Sequence, residues 1–132
     1  MSRILLDTSA MSALFRGHEG IRETIAMADR VGVNSVALGE LGAGFRGGTR
    51  HEENRRGLRE FLHRPRVRTL SIDAETAERY AQIYDSLRRA GTPIPTNGIW
   101  IAASAMQFGL RLVTTDAHYQ HVPQIALELH DV

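Results

Sequence analysis

Short apolar runs alternate with amphipathic stretches along this whole chain, and that alternation constrains its fold more than any other feature. Arg3-Ile4-Leu5-Leu6-Asp7, Val31-Gly32-Val33-Asn34 and Leu112-Val113-Thr114-Thr115-Asp116 read as short buried strands, and Ile125-Ala126-Leu127-Glu128-Leu129 as a last one. Val67-Arg68-Thr69-Leu70-Ser71-Ile72 alternates as a strand does. Between these runs lie helical stretches over residues 10–16, 19–29, 36–41 and 52–62. The clearest helix follows Asp73, where Ala77, Tyr80, Tyr84 and Leu87 are spaced by three and four. Another covers Ile99–Met106 and stops at Gly109. Thr8-Ser9, Ser35, Asp73 and either Thr96 or Asn97 are the expected N-caps. Strands alternating with helices imply an α/β fold whose central, mostly parallel sheet of four to five strands is covered on both faces. A chain of 132 residues supplies one core, so residues 1–132 are read as a single domain.

The chain has no cysteine and no lysine; all 16 basic residues are arginine. Thiolate metal sites, thiol nucleophiles and disulfides are excluded, which fits a cytoplasmic location. The lysine of a P-loop, of a Schiff base or of a phosphoacceptor receiver domain is excluded too. A net charge of +1 does not announce a nucleic-acid binder. No apolar run approaches the ~18 residues that would suggest a membrane span.

Two of the apolar strands end in an acid, Asp7 and Asp116. In a parallel sheet, functional groups gather beyond the carboxyl ends of the strands, so central positions would make these two neighbours. Glu40 lies early in the helix after the second strand, at that same end, in the apolar context Val36-Ala37-Leu38-Gly39-Glu40-Leu41. Converging carboxylates repel, so Mg²⁺ or Mn²⁺, a shared proton or an arginine must compensate. The plainer alternative is that Asp7 and Asp116 only cap the helices that follow them.

Leu5-Leu6-Asp7-Thr8-Ser9-Ala10 resembles the opening motif of PIN domains, and Ser35-Val36-Ala37-Leu38-Gly39-Glu40-Leu41 their second acidic motif. Pro93-Ile94-Pro95-Thr96-Asn97-Gly98-Ile99-Trp100-Ile101-Ala102-Ala103 resembles the third, and Leu112-Val113-Thr114-Thr115-Asp116-Ala117-His118-Tyr119 the fourth. The last two together resemble the VapC branch, the toxins of VapBC toxin–antitoxin pairs. The resemblance implies a PIN-like three-layer α/β/α sandwich and a metal-dependent endoribonuclease acting on structured RNA, with transfer RNA a candidate. It implies Asp7, Glu40 and Asp116 as ligands of Mg²⁺ or Mn²⁺, with Thr8 and Thr114 as hydroxyl partners of carboxylates or water. It further implies a VapB-type antitoxin as partner, a homodimer, and operator DNA bound only through the antitoxin.

One expected acid is absent: the family motif reads Asn-Asp where this chain reads Asn97-Gly98. Glycine near a helix start brings no gain, because an acid there is favoured by the helix dipole. No acid lies between Ser86 and Asp116 to compensate. The chain as written is therefore expected to be inactive or weak. Two origins stay open: an inactivating change designed or selected during cloning, and a naturally degenerate toxin. The rival function is a catalytically dead PIN domain that binds antitoxin or RNA.

Residues 46–68 hold eight arginines against Glu52, Glu53 and Glu60. They read as an RNA-phosphate track or as a solvated face partly paired with its own glutamates. His118 and His121 do not define a zinc site by spacing. His118 reads as a surface histidine, with a donor role beside Asp116 as the alternative. Trp100, with the small residues at 102, 103 and 105, is expected in core or dimer packing rather than in base stacking.

Overall fold

The computed structural model describes residues 2–132. The elements run β1 (Arg3–Leu6), α1 (Thr8–Phe15), α2 (Glu19–Met27), β2 (Arg30–Asn34), α3 (Ser35–Arg46), α4 (His51–Leu62) and β3 (Val67–Leu70). Then follow α5 (Ala74–Ala90), α6 (Thr96–Phe108), β4 (Arg111–Thr114), a 3-10 turn (Ala117–His121) and β5 (Leu127–Leu129). The five strands form one sheet in the order β3-β2-β1-β4-β5, and every neighbouring pair is parallel.

Consecutive strand residues point to opposite faces. Ile4, Leu5 and Leu6 on β1, with Leu112 and Val113 on β4, are all fully buried, so both faces of the central strands are covered. Six helices supply that cover, giving the expected α/β/α arrangement. Successive crossovers carry the chain from β1 to β2 to β3, and then to β4 and β5 on the other side of β1. The order reverses between β1 and β4, and the crevice beyond their carboxyl ends is where such sheets place ligands.

Helix starts depart from the expected caps. Asp7, not Thr8 or Ser9, caps α1, its Oδ1 accepting from the Ala10 N–H at 2.8 Å. Asn34, not Ser35, caps α3. Its Oδ1 accepts from the Ala37 N–H at 3.0 Å, and its Nδ2 donates to Ser104 Oγ at 3.1 Å and to the Trp100 carbonyl at 3.3 Å. Ser35 instead donates to the Leu70 carbonyl across the sheet edge. Pro95, not Thr96 or Asn97, is the N-cap of α6 and has no side-chain acceptor to offer; the Asn97 amide, inside the first turn, donates to Glu40. Asp73 does cap α5, in a reciprocal capping box with Thr76.

Asn34 and Ser104 are both fully buried, so each is the other's route to a satisfied interior hydrogen bond. Asn34→Ala removes a helix cap and strands a buried hydroxyl, and is expected to destabilise the fold by about 2–3 kcal/mol. Urea unfolding measures this; a loss within experimental error would show that the pair is not needed.

Trp100 stacks on Tyr80 with ring centroids 4.1 Å apart, so its packing joins α5 to α6 within one chain. Ala102, Ala103 and Ala105 are buried in the core. Among the described residues no helix is long and apolar enough to cross a membrane.

The arginine-rich segment divides. Arg50 pairs with Glu53 and Arg55 with Glu52, Arg64 lies over the Phe61 ring, and Arg66 donates to the Ile25 and Ala28 carbonyls at the end of α2. Arg66 therefore serves the fold, and two of the others are held by their own helix.

Candidate active site

The crevice predicted by the strand order is present as a cavity of about 250 Å³. Asp7, Thr8, Ser9, Glu40, Asn97, Gly98, Asp116, His118 and Tyr119 line it, with Ile94 and Ile101 as apolar wall. The three acids expected from the sequence thus face one groove, from the ends of β1 and β4 and from α3.

Asp7 is the most enclosed, at 3% exposure. Its Oδ2 accepts from Thr114 Oγ1 at 2.7 Å, and its Oδ1 from Ser9 Oγ at 2.8 Å as well as from the Ala10 N–H. Burial pushes its carboxyl above the usual range, against the pull of those donors, and the charge of Asp116 adds to the rise. Ser9 and Thr114 also stand 3.1 Å apart and receive the Thr115 and Asp116 N–H groups respectively, which fixes both hydroxyls.

Glu40 is half-buried and held at both oxygens, by Thr8 Oγ1 at 2.6 Å and by the Asn97 amide. Asp116 lies two residues past β4 and is more exposed; its Oδ1 accepts from the His118 N–H and lies 3.1 Å from His118 Nδ1. Capping and groove-lining therefore coexist in Asp7 and Asp116. His118 stands beside Asp116, and His121 is not among the groove's lining residues.

No arginine lines this cavity among the described residues, so no permanently charged cation of the protein balances the three carboxylates; His118, 3.1 Å from Asp116, can do so only when protonated. All the donors they present are hard oxygens, the set that suits Mg²⁺ or Mn²⁺ rather than a thiophilic ion. Yet no three acidic or histidine side chains among the described residues close into a ready-made cage for an ion. Hydroxyl and amide donors engage Asp7 and Glu40, and Gly98 presents no side chain to the groove.

Gly98 sits in the first turn of α6, which contains no acid. A Cβ placed there would meet Tyr119 Oη at 3.4 Å, Ile94 Cδ1 at 3.5 Å and Tyr119 Cε1 at 3.6 Å, all ordinary contacts. The glycine is not required by crowding, nor by a left-handed backbone.

Sequence reasoning missed three groove residues in this setting. In the sequence Ser9 and Asn97 read as caps, although a hydroxyl two residues after Asp7 and an amide beside Gly98 are natural partners for carboxylates. Tyr119 carried no signal beyond being an aromatic residue shortly after Asp116.

The PIN domain family profile matches residues 4–125. The chain belongs to the PIN domain family. This PIN domain is 33% identical over 128 residues to Ribonuclease VapC4 of Mycobacterium tuberculosis, covering 93% of each chain. Its fold is similar to that in the crystal structure of DNA-bound VapBC from Salmonella typhimurium, with a TM-score of 0.85, 29% identity, and 97% and 98% of the two chains covered. It is equally close to the structure of VapBC2 from Rickettsia felis bound to a promoter DNA fragment, with a TM-score of 0.86, 22% identity and the same coverage. The PIN-like sandwich expected from the motifs is therefore the fold observed, and the chain is homologous to VapC ribonucleases.

Proposed function

We propose that this PIN domain, residues 1–132 as one unit, is the toxin of a VapBC-type pair: a scaffold for metal-dependent endoribonuclease chemistry on structured RNA, disabled or weakened at Gly98. The observation that carries this reading is the meeting of Asp7, Glu40 and Asp116 in one groove at the reversal point of the sheet, with no arginine among its lining residues to balance them. Those three would hold Mg²⁺ or Mn²⁺. A divalent ion there supplies positive charge and Lewis acidity against a phosphodiester.

The chain's own residues do the positioning. Thr114 and Ser9 fix the Asp7 carboxylate, while Thr8 and Asn97 fix Glu40. His118, beside Asp116, can deliver a proton to a leaving oxygen at the groove's rim. Ile94 and Ile101 exclude water from one wall. The titles of two similar structures, VapBC complexes bound to DNA, also support a VapB-type antitoxin as partner; a homodimer, and operator DNA reached only through the antitoxin, follow from the family resemblance.

The second reading is a catalytically dead PIN domain that binds antitoxin or RNA, and the absent side chain at Gly98 is its support. Total RNA separates the two. The Gly98→Asp chain, purified without antitoxin, is expected to cut RNA with Mg²⁺ or Mn²⁺, to stop on addition of EDTA, and to lose cutting when Asp116→Asn is added. A folded Gly98→Asp chain that leaves all RNA intact would hand the lead to the binding-module reading.

A further inference from the structure

A second cleft, of about 260 Å³, opens at the opposite end of the sheet, where β1 and β2 begin. Arg3, Arg30 and Arg68 line it, and no acid does. The strand register explains the gathering. Arg3 lies beside Arg30, and Arg68 beside Gly32, two residues along β2 from Arg30. Partners in register share a face, and so do residues two apart, so all three arginines stand on one face of the sheet. Among the described residues none of the three is in an ion pair. Like charges held side by side repel, and an anion in the cleft would relieve that cost.

The walls are apolar. Leu70 and Leu110 approach Gly32 so closely that a Cβ there would stand 3.0 Å and 3.3 Å from their Cδ1 atoms. Phe108, from the end of α6, lines the cleft while 39% exposed. Planar guanidinium groups grip phosphate through two parallel hydrogen bonds, and an unpaired base stacks on an aromatic ring. An extended peptide is a poorer match. It would gain affinity by pairing with free strand backbone, and β1 and β2 are already paired on both sides.

The catalytic groove gives a further reason. Its three carboxylates repel phosphate until a cation arrives, so a grip on RNA has to come from elsewhere on the surface. From Arg3 to Asp7 the chain climbs about 13 Å, at ~3.3 Å per residue, a span that one structured RNA bridges. We infer that this cleft binds an unpaired nucleotide of RNA, its phosphate on Arg3, Arg30 and Arg68 and its base against Phe108. The inference rests on the reading of the chain as acting on RNA, but not on its metal ions.

Fluorescence anisotropy of a labelled oligoadenylate tests it on the full chain in EDTA, where no divalent ion contributes and nothing is cut. Arg30→Gln and Arg68→Gln should each weaken binding about tenfold, the loss of one charge-assisted contact. Their melting temperatures should stay level or rise, because repulsion falls. Arg22→Gln removes the same charge from α2, where Arg22 pairs with Glu19, and should leave binding nearly unchanged. Phe108→Ala should weaken the oligomer as well. Displacement by AMP would show that a free nucleotide suffices; an oligomer that AMP fails to displace assigns the cleft to a nucleotide within a strand.

No binding by the parent chain, or equal losses in Arg22→Gln and the cleft variants, would refute the cleft. Oligoglutamate that displaces the label as well as unlabelled oligoadenylate does would assign the cleft to an acidic protein segment and overturn the nucleotide. Cleavage by the Gly98→Asp chain is read separately. If that chain cuts RNA, and adding Arg30→Gln or Arg68→Gln changes neither binding nor cutting, the cleft is refuted and the nuclease reading stands. If it never cuts while the cleft variants lose RNA, the nuclease reading fails and the cleft stands as an RNA-binding site.

Discussion

Gly98→Asp is expected to raise metal-dependent RNA cleavage by about 10²-fold or more, since misplacing a reacting group by a single ångström is enough to cost that much. The argument runs from packing to chemistry. The Cβ fits, meeting Tyr119 and Ile94 only at ordinary contact distances. The new carboxylate would enter the first turn of a helix without an acid there, where the dipole favours it. Replacing glycine by aspartate in a helix adds only a few tenths of a kcal/mol, since aspartate ranks just above glycine.

Against these gains stands a fourth negative charge in a groove that already holds three with no arginine to balance them. The metal-free variant should therefore melt close to the parent chain, while Mn²⁺ should raise its melting temperature well above the parent's. Steady-state cleavage of RNA measures the main effect. Comparable turnover by the two chains would mean that the acid at this position contributes nothing to the reaction.

Asp7→Asn, placed in the Gly98→Asp background, should bring cleavage back down by about 10²-fold while making the metal-free protein more stable at neutral pH. Asparagine caps a helix as well as aspartate does, so α1 keeps its Ala10 hydrogen bond. Thr114 and Ser9 can turn their hydroxyls to suit an amide. What disappears is the cost of ionising a buried carboxyl.

That cost has a definite pH dependence. The Asp7 carboxyl is raised in the folded state by burial, so the folded chain holds its proton more tightly than the unfolded chain does. Its contribution to stability is greatest below the ordinary carboxylate range. It declines as pH rises through the ordinary value to the raised one, and the loss is complete above that raised value. The Asn variant lacks this decline. Its melting temperature should exceed the parent's by a few degrees at pH 7, and the gap should close on acidification. A gap that widens toward acid would show that the ionised form of Asp7 is the stabilising one.

Much of this architecture is legible in the sequence because its central strands are buried on both faces. Ile4-Leu5-Leu6 and Leu112-Val113 leave no polar residue between them to suggest anything else. Gly109 marks the end of α6 since a left-handed residue is needed there, and its φ is +63°. The caps were less legible. Serine, threonine, asparagine and aspartate are near equivalents locally, and the choice at α3 is made by Ser104, seventy positions away from Asn34.

Long-range partners also decided the fate of Arg66, which reads as one more surface charge until β3 is placed beside the end of α2. In the groove, the acids announce themselves by ending strands or sitting in an apolar run. Their orienting partners do not. Thr8 reaches across 32 positions to Glu40, and Thr114 across 107 to Asp7. Tyr119 meets Gly98 only because the turn after β4 folds against the start of α6.

The most direct test of the central claim is anomalous diffraction from crystals of the Gly98→Asp chain soaked in Mn²⁺. A manganese peak within coordination distance of the Asp7 and Asp116 carboxylates, in the groove shared with Glu40, is the predicted result. A protein that cuts RNA in Mn²⁺ while its manganese lies elsewhere, with that groove empty, would contradict the assignment of these three acids as the metal centre.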